Sequence, residues 1–514
     1  TALKTLTLDA SGKASNVNLT QATIETLNIT GKANLTLDAA STLTAVKTID
    51  GSKAEGKLDL DLVGTTAATL KTVKTGTGDD TVTLGNTTTA ATVASGTTIN
   101  LGAGNDKLLA GKGSVVASTT TVIDGGAGID SLDAALVTVG NAGVFANFET
   151  LSLTATAADL DLALVNKSTF TTIALDGGAT STVRNVSTSQ SLAVNAAGTS
   201  TTLLFKDVAG TADAYTINFA KDAAAVALGT TVAAGTVTID GIETVTVNST
   251  GKTTTTGNSI TLNDKDAKSL VITGDKDLTV TFNTAFGTAF TGTDGKGVST
   301  IDASASTAGI TIGALTVTSG LNVAAEGLTI KGGSGDDNIV TGAYTKDLTI
   351  ETGAGNDTIN LSAALTATDK IIVNAGAGDD IVTLGATGGT FTLGAGKDTI
   401  DVTNATVAAT TTVATGAIKT TITDIEKGDV IKGLSGTLFS QANINGANNL
   451  DAAIGLAAAG NAGNTTWFQY AGKTYIVDDN AAGTLNAADI VVELNGLVDL
   501  GNSTISSGTD ITIA

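Results

Sequence analysis

The chain contains no cysteine, no histidine, no proline and no methionine among its 514 residues. Without cysteine there are no disulfides, thiolate metal sites or cysteine nucleophiles. Without histidine there is no zinc site of the HExxH type and no Ser-His-Asp triad. Arg184 is the sole arginine and the formal net charge is −22, so a nucleic-acid phosphate backbone would be repelled. Aromatic residues make up only 3% of the chain. No run approaches the roughly 20 apolar residues of a membrane-spanning helix, so no membrane insertion is expected. The start carries no basic, hydrophobic signal peptide. The lack of methionine and an opening at "TALKTLTLDA" suggest that Thr1 is not the natural start and that the chain is the C-terminal part of something longer or a processed product.

What is present is small and regular. Hydrophobic residues reach 41%, so burial comes from Val, Ile, Leu and Ala in thin layers. The 62 glycines and the Thr/Val/Ala tracts, as around Thr119 to Gly126, favour short strands and tight turns. The class is all-β, and the length predicts several modules or a long repetitive architecture.

One pattern, G-x-G-x-D followed two residues later by an aliphatic side chain, occurs seven times: "TGTGDDTVT", "LGAGNDKLL", "GGAGIDSLD", "GGSGDDNIV", "TGAGNDTIN", "AGAGDDIVT" and "LGAGKDTID". Its aspartates are Asp80, Asp106, Asp130, Asp337, Asp357, Asp380 and Asp398. The glycine pairs ahead of them are Gly76 and Gly78, Gly102 and Gly104, Gly126 and Gly128, Gly333 and Gly335, Gly353 and Gly355, Gly376 and Gly378, Gly394 and Gly396. A second polar side chain directly before the Asp occurs as Asp79, Asn105, Asp336, Asn356 and Asp379. Such glycines open backbone angles closed to other residues, the Asp adds a charged oxygen, and the aliphatic residue points into a core. Calcium takes about 6–8 oxygens, more than one turn supplies, so stacked turns would share each ion. Metal ligands are therefore expected at all these positions.

The aspartates lie 26 and 24 residues apart, then 20, 23 and 18. Intervals near 18 return a two-strand coil to the same edge, so the aspartates should form a ladder on one side. The half-turns between them, such as "LGATGGTFT", lack Asp and should be free of calcium. Stacked carboxylates about 5 Å apart repel one another, which makes calcium a folding partner. Seven ions, one to each motif Asp, would bring the formal charge of −22 to about −8.

The repeat resembles the calcium-binding nonapeptide of RTX proteins, G-G-x-G-x-D-x-U-x, whose coils form a parallel β-roll. Only Gly125 and Gly332 keep glycine at its first position. "ITDIEKGDVIKGL" at Ile422 resembles the segment that follows the roll in proteins exported by type I secretion, with Asp424 and Asp429 as further ligand candidates. The tail, with Trp467, Phe468, Tyr470 and Tyr475, reads as a hydrophobic cap and export-signal region. Together these features resemble calcium-dependent RTX S-layer proteins of the Caulobacter and Campylobacter kind. That resemblance implies type I secretion, a cell-surface location, self-assembly into a two-dimensional homo-oligomeric lattice, several calcium ions, no enzymatic activity, and attachment to cell-surface polysaccharide through an N-terminal part missing here.

The expected fold is an elongated, multi-module β-solenoid with parallel RTX coils and β-rich intervening modules. Its divisions are a strand-rich module at 1–72, a first β-roll at 73–135, lattice modules at 136–331, a second β-roll at 332–433 and a cap with secretion signal at 434–514. "IETLNIT", "FETLSLT" and "IETVTVN" read as equivalent strands, whose Glu25, Glu149 and Glu243 satisfy strand edges or turns rather than act in catalysis. The acidic stretches "GTADAYTIN" and "NDKDAK" have two readings, degenerate or isolated cation turns and solvated acidic loops, of which the second is preferred. An RTX adhesin, or a calcium-dependent polysaccharide lyase using Arg184 or a lysine as base, is the alternative reading.

Overall fold

In the computed structural model the chain is nearly all-β, with about 5% helix, and its parallel strands stack into β-solenoid coils of about 16 turns. The structure describes residues 3–38, 40–62, 70–84, 92–93, 95–111, 115–116, 122–154, 158–219, 230–251, 255–283, 286, 298–315, 327–341, 347–362, 370–386, 388–405, 420–434, 439–459, 463–480, 485, 489–506 and 510–514. Two compact units divide it: Thr1–Gly210 with Tyr215–Ala225 and Val232–Ile239, and Thr211–Ala214 with Val226–Thr231 and Asp240–Ala514.

In the first unit, seven strands from Thr5–Asp9 to Phe145–Ala146 form one parallel sheet. Their register aligns Leu6, Leu27, Ile49, Val73, Ile99, Ile123 and Phe145 in a single column. A second parallel sheet aligns Leu60, Val82, Leu108, Leu132, Leu151, Ile173, Leu192 and Ile217. From Leu27 onward in the first column, and throughout the second, every residue is fully buried. A one-residue slip would turn each column outward, so the alternation of Thr and Asp with Leu, Ile and Val fixes the register.

The second unit repeats the arrangement. Val245, Leu270, Ile301, Ile330, Ile350, Val373, Phe391 and Ile422 stack in one sheet. Ile260, Val280, Ile312, Ile339, Ile359, Val382, Ile400 and Ile431 stack in the other. These residues are at most 2% exposed, and each contributes about 1.5–3 kcal/mol by burial.

The tail residues form the last elements of this unit. Strands Asn464–Tyr470, Lys473–Asp479 and Ile490–Leu494 form an antiparallel sheet, and the last joins the parallel sheet through Ile422 and Leu494. Trp467, Phe468 and Tyr475 are buried, with Phe468 stacked on Tyr475 at 5.2 Å. Helix Leu450–Ala459 packs its Ala453, Ile454, Ala457 and Ala458 against this sheet. The sequence reading has no helix here, although Ala and Leu are strong helix formers and the Asn449 side chain accepts the Ala452 N–H at 2.7 Å as a cap.

Candidate metal-binding turns

Each G-x-G-x-D segment forms the turn between two strands of one coil, and successive copies stack. In the first unit the Asp80 N–H donates to Asp106 Oδ1 at 2.7 Å, and the Asp106 N–H to Asp130 Oδ1 at 2.8 Å. In the second, the N–H groups of Asp337, Asp357 and Asp380 donate to Oδ1 of Asp357, Asp380 and Asp398, all at 2.8 Å. All seven aspartates are buried, at most 2% exposed. The expected ladder is thus present in each unit.

Two further acids extend the ladders. Glu149 accepts the Asp130 N–H at 2.9 Å, and Asp429 accepts the Asp398 N–H at 3.0 Å and the Glu426 N–H at 2.7 Å. Asp424 takes the Leu393 and Gly394 N–H groups at 2.8 and 2.9 Å, so both its oxygens serve the turn above.

The seven turns are not equivalent. In the first of each set, the second carboxylate oxygen is satisfied within its own turn, by the Gly76 N–H on Asp80 at 2.9 Å and the Gly333 N–H on Asp337 at 3.1 Å. In the other five, Oδ2 of Asp106, Asp130, Asp357, Asp380 and Asp398 is buried without a hydrogen-bond partner. The same five turns hold both glycines at positive φ, from 92° at Gly102 to 154° at Gly396, whereas Gly76, Gly78, Gly333 and Gly335 lie outside that region.

Glycine is also required by proximity. A Cβ on Gly102 would lie 2.2 Å from the Gly76 carbonyl oxygen, and one on Gly394 only 1.7 Å from that of Gly376. Those carbonyls accept the N–H of the residue after the next coil's glycine, as Ala103 on Gly76 at 2.9 Å and Ala395 on Gly376 at 2.9 Å. At the first motif position, a Cβ on Gly332 would fall 2.0 Å from Asp337 Oδ2.

The residues ahead of the aspartates form an outer ladder. Oδ1 of Asp79 and Asn105 accepts the N–H of Asn105 and Ile129 at 2.8 and 2.9 Å. Oδ1 of Asp336, Asn356 and Asp379 accepts from Asn356, Asp379 and Lys397 at 2.7–2.8 Å. The structure places these side chains as exposed acceptors between coils, which accounts for the preference for Asp or Asn.

Burial dominates the electrostatics of the inner ladder. It pushes the Asp106 carboxyl up to about 8, with Asp80 and Asp130 adding repulsion. Asp380 is pushed up to about 7, and Asp130, Asp337 and Asp398 to about 6, for the same first cause. Asp80, Asp357 and Asp429 move in the same direction. A stack of this kind is poorly accommodated as bare anions.

Could calcium fit? The donors are hard oxygens only, which suits calcium. Among the described residues no three carboxylates converge as a metal-holding group. A cation here would take one orphaned carboxylate oxygen from a turn and further oxygens from glycine-turn carbonyls, neighbouring aspartates and water. The partnerless Oδ2 atoms fit that role.

The other acids fall into place around the coils. Strands Thr26–Gly31, Thr150–Leu153 and Thr244–Ser249 start alike, since the carbonyls of Glu25, Glu149 and Glu243 each accept two N–H groups from the next coil. Glu243 accepts the Asp213 N–H at 2.8 Å, while Glu25 pairs with Lys4 and Lys47. Arg184 binds Asp159 at 3.1 and 3.2 Å, a surface pair. The preferred reading of "NDKDAK" as a solvated loop is corrected at Asp264, which is fully buried just after strand Thr255–Asn263, its carboxyl pushed up to about 8 by desolvation.

No protein-family model matches the chain, and no curated protein matches it.

Proposed function

We propose that this chain is a structural protein of a bacterial surface layer, folded by calcium after type I secretion and assembled with copies of itself into a two-dimensional lattice outside the cell. The observation that carries the calcium reading is the set of five buried, partnerless oxygens on Asp106, Asp130, Asp357, Asp380 and Asp398. They occur only in turns stacked on a preceding motif turn, so the gaps between successive motifs number two in the first unit and three in the second. One ion in each gap gives five rather than seven. The formal charge would then move from −22 to about −12.

The ion's contribution is charge neutralisation and oxygen coordination. The protein's own part is to hold the carboxylates in line through the Asp N–H to Oδ1 bonds, and to admit close approach through glycine. In low calcium the ladder repels itself and the chain stays extended enough for export. In high calcium the coils close and present long, regular strand faces. The lattice reading itself is supported by the resemblance of the repeats, the post-roll segment and the tail to RTX S-layer proteins, and the solenoid is compatible with it.

Negative-stain electron microscopy of the purified chain, titrated with calcium and with a chelator control, tests assembly. Ordered sheets that form only with calcium are the expected result. Folded, monodisperse particles at every calcium concentration would overturn the lattice reading and favour an adhesin stalk.

A further inference from the structure

A second kind of acidic site lies in the second unit, in residues with no G-x-G-x-D pattern. Strands Thr244–Ser249 and Ser269–Gly274 pair in parallel, so the turns ahead of them, 240–243 and 264–268, stack one on the other. Asp264 has no solvent exposure. Its Oδ1 accepts the Asp266 N–H at 3.0 Å, and its Oδ2 is buried with no hydrogen-bond partner. From the adjacent turn, Asp240 Oδ1 accepts the Lys265 N–H at 3.1 Å, which brings a second carboxylate to the residue beside Asp264.

The charges at this turn pair do not cancel. Lys265 pairs with Asp266, and Lys268 pairs with Glu243 at 3.5 Å. Asp240 and Asp264 remain, two carboxyl groups at one place, one of them wholly withdrawn from water. A carboxylate in such a position, met only by the backbone N–H groups of Asp266 and Ile242, is costly as an anion unless a cation meets it.

We propose that Asp240 and Asp264 together hold one divalent cation, with calcium the ion of choice for an all-oxygen donor set. The site joins two turns in the interval between the two series of repeats. It shares with the repeats a buried aspartate whose second oxygen has no partner and a glycine at positive φ, Gly241, but lacks their G-x-G pair, so it adds one ion to the count set by the motif gaps. It rests on cation chemistry of the same kind as the repeats, but on different residues.

Native mass spectrometry of the full chain after equilibration with calcium tests it. Asp264→Asn and Asp240→Asn are each expected to carry one ion fewer than the unsubstituted protein. Should Asp264→Asn fail to fold, the half-buried Asp240 position decides the matter. Asp380→Asn, in the second ladder, serves as the reference for a repeat site. Loss of an ion in Asp380→Asn with an unchanged count in Asp264→Asn and Asp240→Asn would overturn this site alone. A protein that binds no calcium at all would overturn the reading of the repeats as well.

Discussion

Replacing Asp380 with Asn removes one charge from the middle of the second ladder while preserving an oxygen to accept the Asp357 N–H, now at 2.8 Å from Oδ1. Burial and the neighbouring Asp357 and Asp398 push this carboxyl from 3.8 up to about 7. Because the folded value lies above the unfolded one, ion-free stability is fully present below about pH 4 and is lost as the pH rises through about 7. The full displacement corresponds to about 4 kcal/mol at pH 8, and solvent screening with local relaxation reduces it to about 1–3 kcal/mol. Asp380→Asn should therefore stabilise the chelated protein at pH 8 by that amount and leave it unchanged at pH 4. In calcium the sign reverses, since an ion bound at 100 times its dissociation constant contributes about 2.7 kcal/mol that the variant forgoes. Urea unfolding at both pH values, with chelator and with calcium, reads all four cases. Equal destabilisation by Asp380→Asn in every condition would refute the reasoning, because it would make the carboxylate a plain hydrogen-bond acceptor.

Four further outcomes are expected. Gly376→Ala places a Cβ 2.0 Å from the Gly353 oxygen at a φ of 99°, and should cost about 2–4 kcal/mol by thermal unfolding in calcium. Asp79→Ala removes one exposed bond to the Asn105 N–H and should cost about 1 kcal/mol or less, with the calcium count by native mass spectrometry unchanged. Phe468→Ala empties a fully buried position that stacks on Tyr475 and should lower stability by about 3–5 kcal/mol in the same unfolding assay. The chelated wild type should lose stability steadily from pH 4 to pH 8, followed by circular dichroism, as Asp130, Asp337 and Asp398 ionise near 6 and Asp380 and Asp106 near 7 and 8.

Much of the fold was legible because one column of side chains repeats in every coil. Val82, Leu108 and Leu132, like Ile339, Ile359, Val382 and Ile400, stand two residues after their aspartates, and their burial follows from strand alternation alone. The inner ladder was legible from spacing. Its inequivalence was not, because Asp80 and Asp106 sit in nearly the same local motif and differ only in whether another motif turn precedes them in the stack. Glu149 was missed as a rung for a related reason: it is brought into line by the coil next door, outside any motif of its own, whereas Asp429, a ligand candidate from the post-roll segment, takes the end position of the second ladder. Asp264 looked like surface because "NDKDAK" is strongly polar, yet that one carboxylate is fully buried. Helix Leu450–Ala459 carried a composition signal that the surrounding β pattern masked.

The most direct test of calcium-coupled folding is far-ultraviolet circular dichroism of the chelated chain at pH 7.5, titrated with calcium. The account predicts a weakened β signal in chelator and a cooperative gain of β signal as calcium is added. An unchanged β spectrum from chelator to saturating calcium would contradict it.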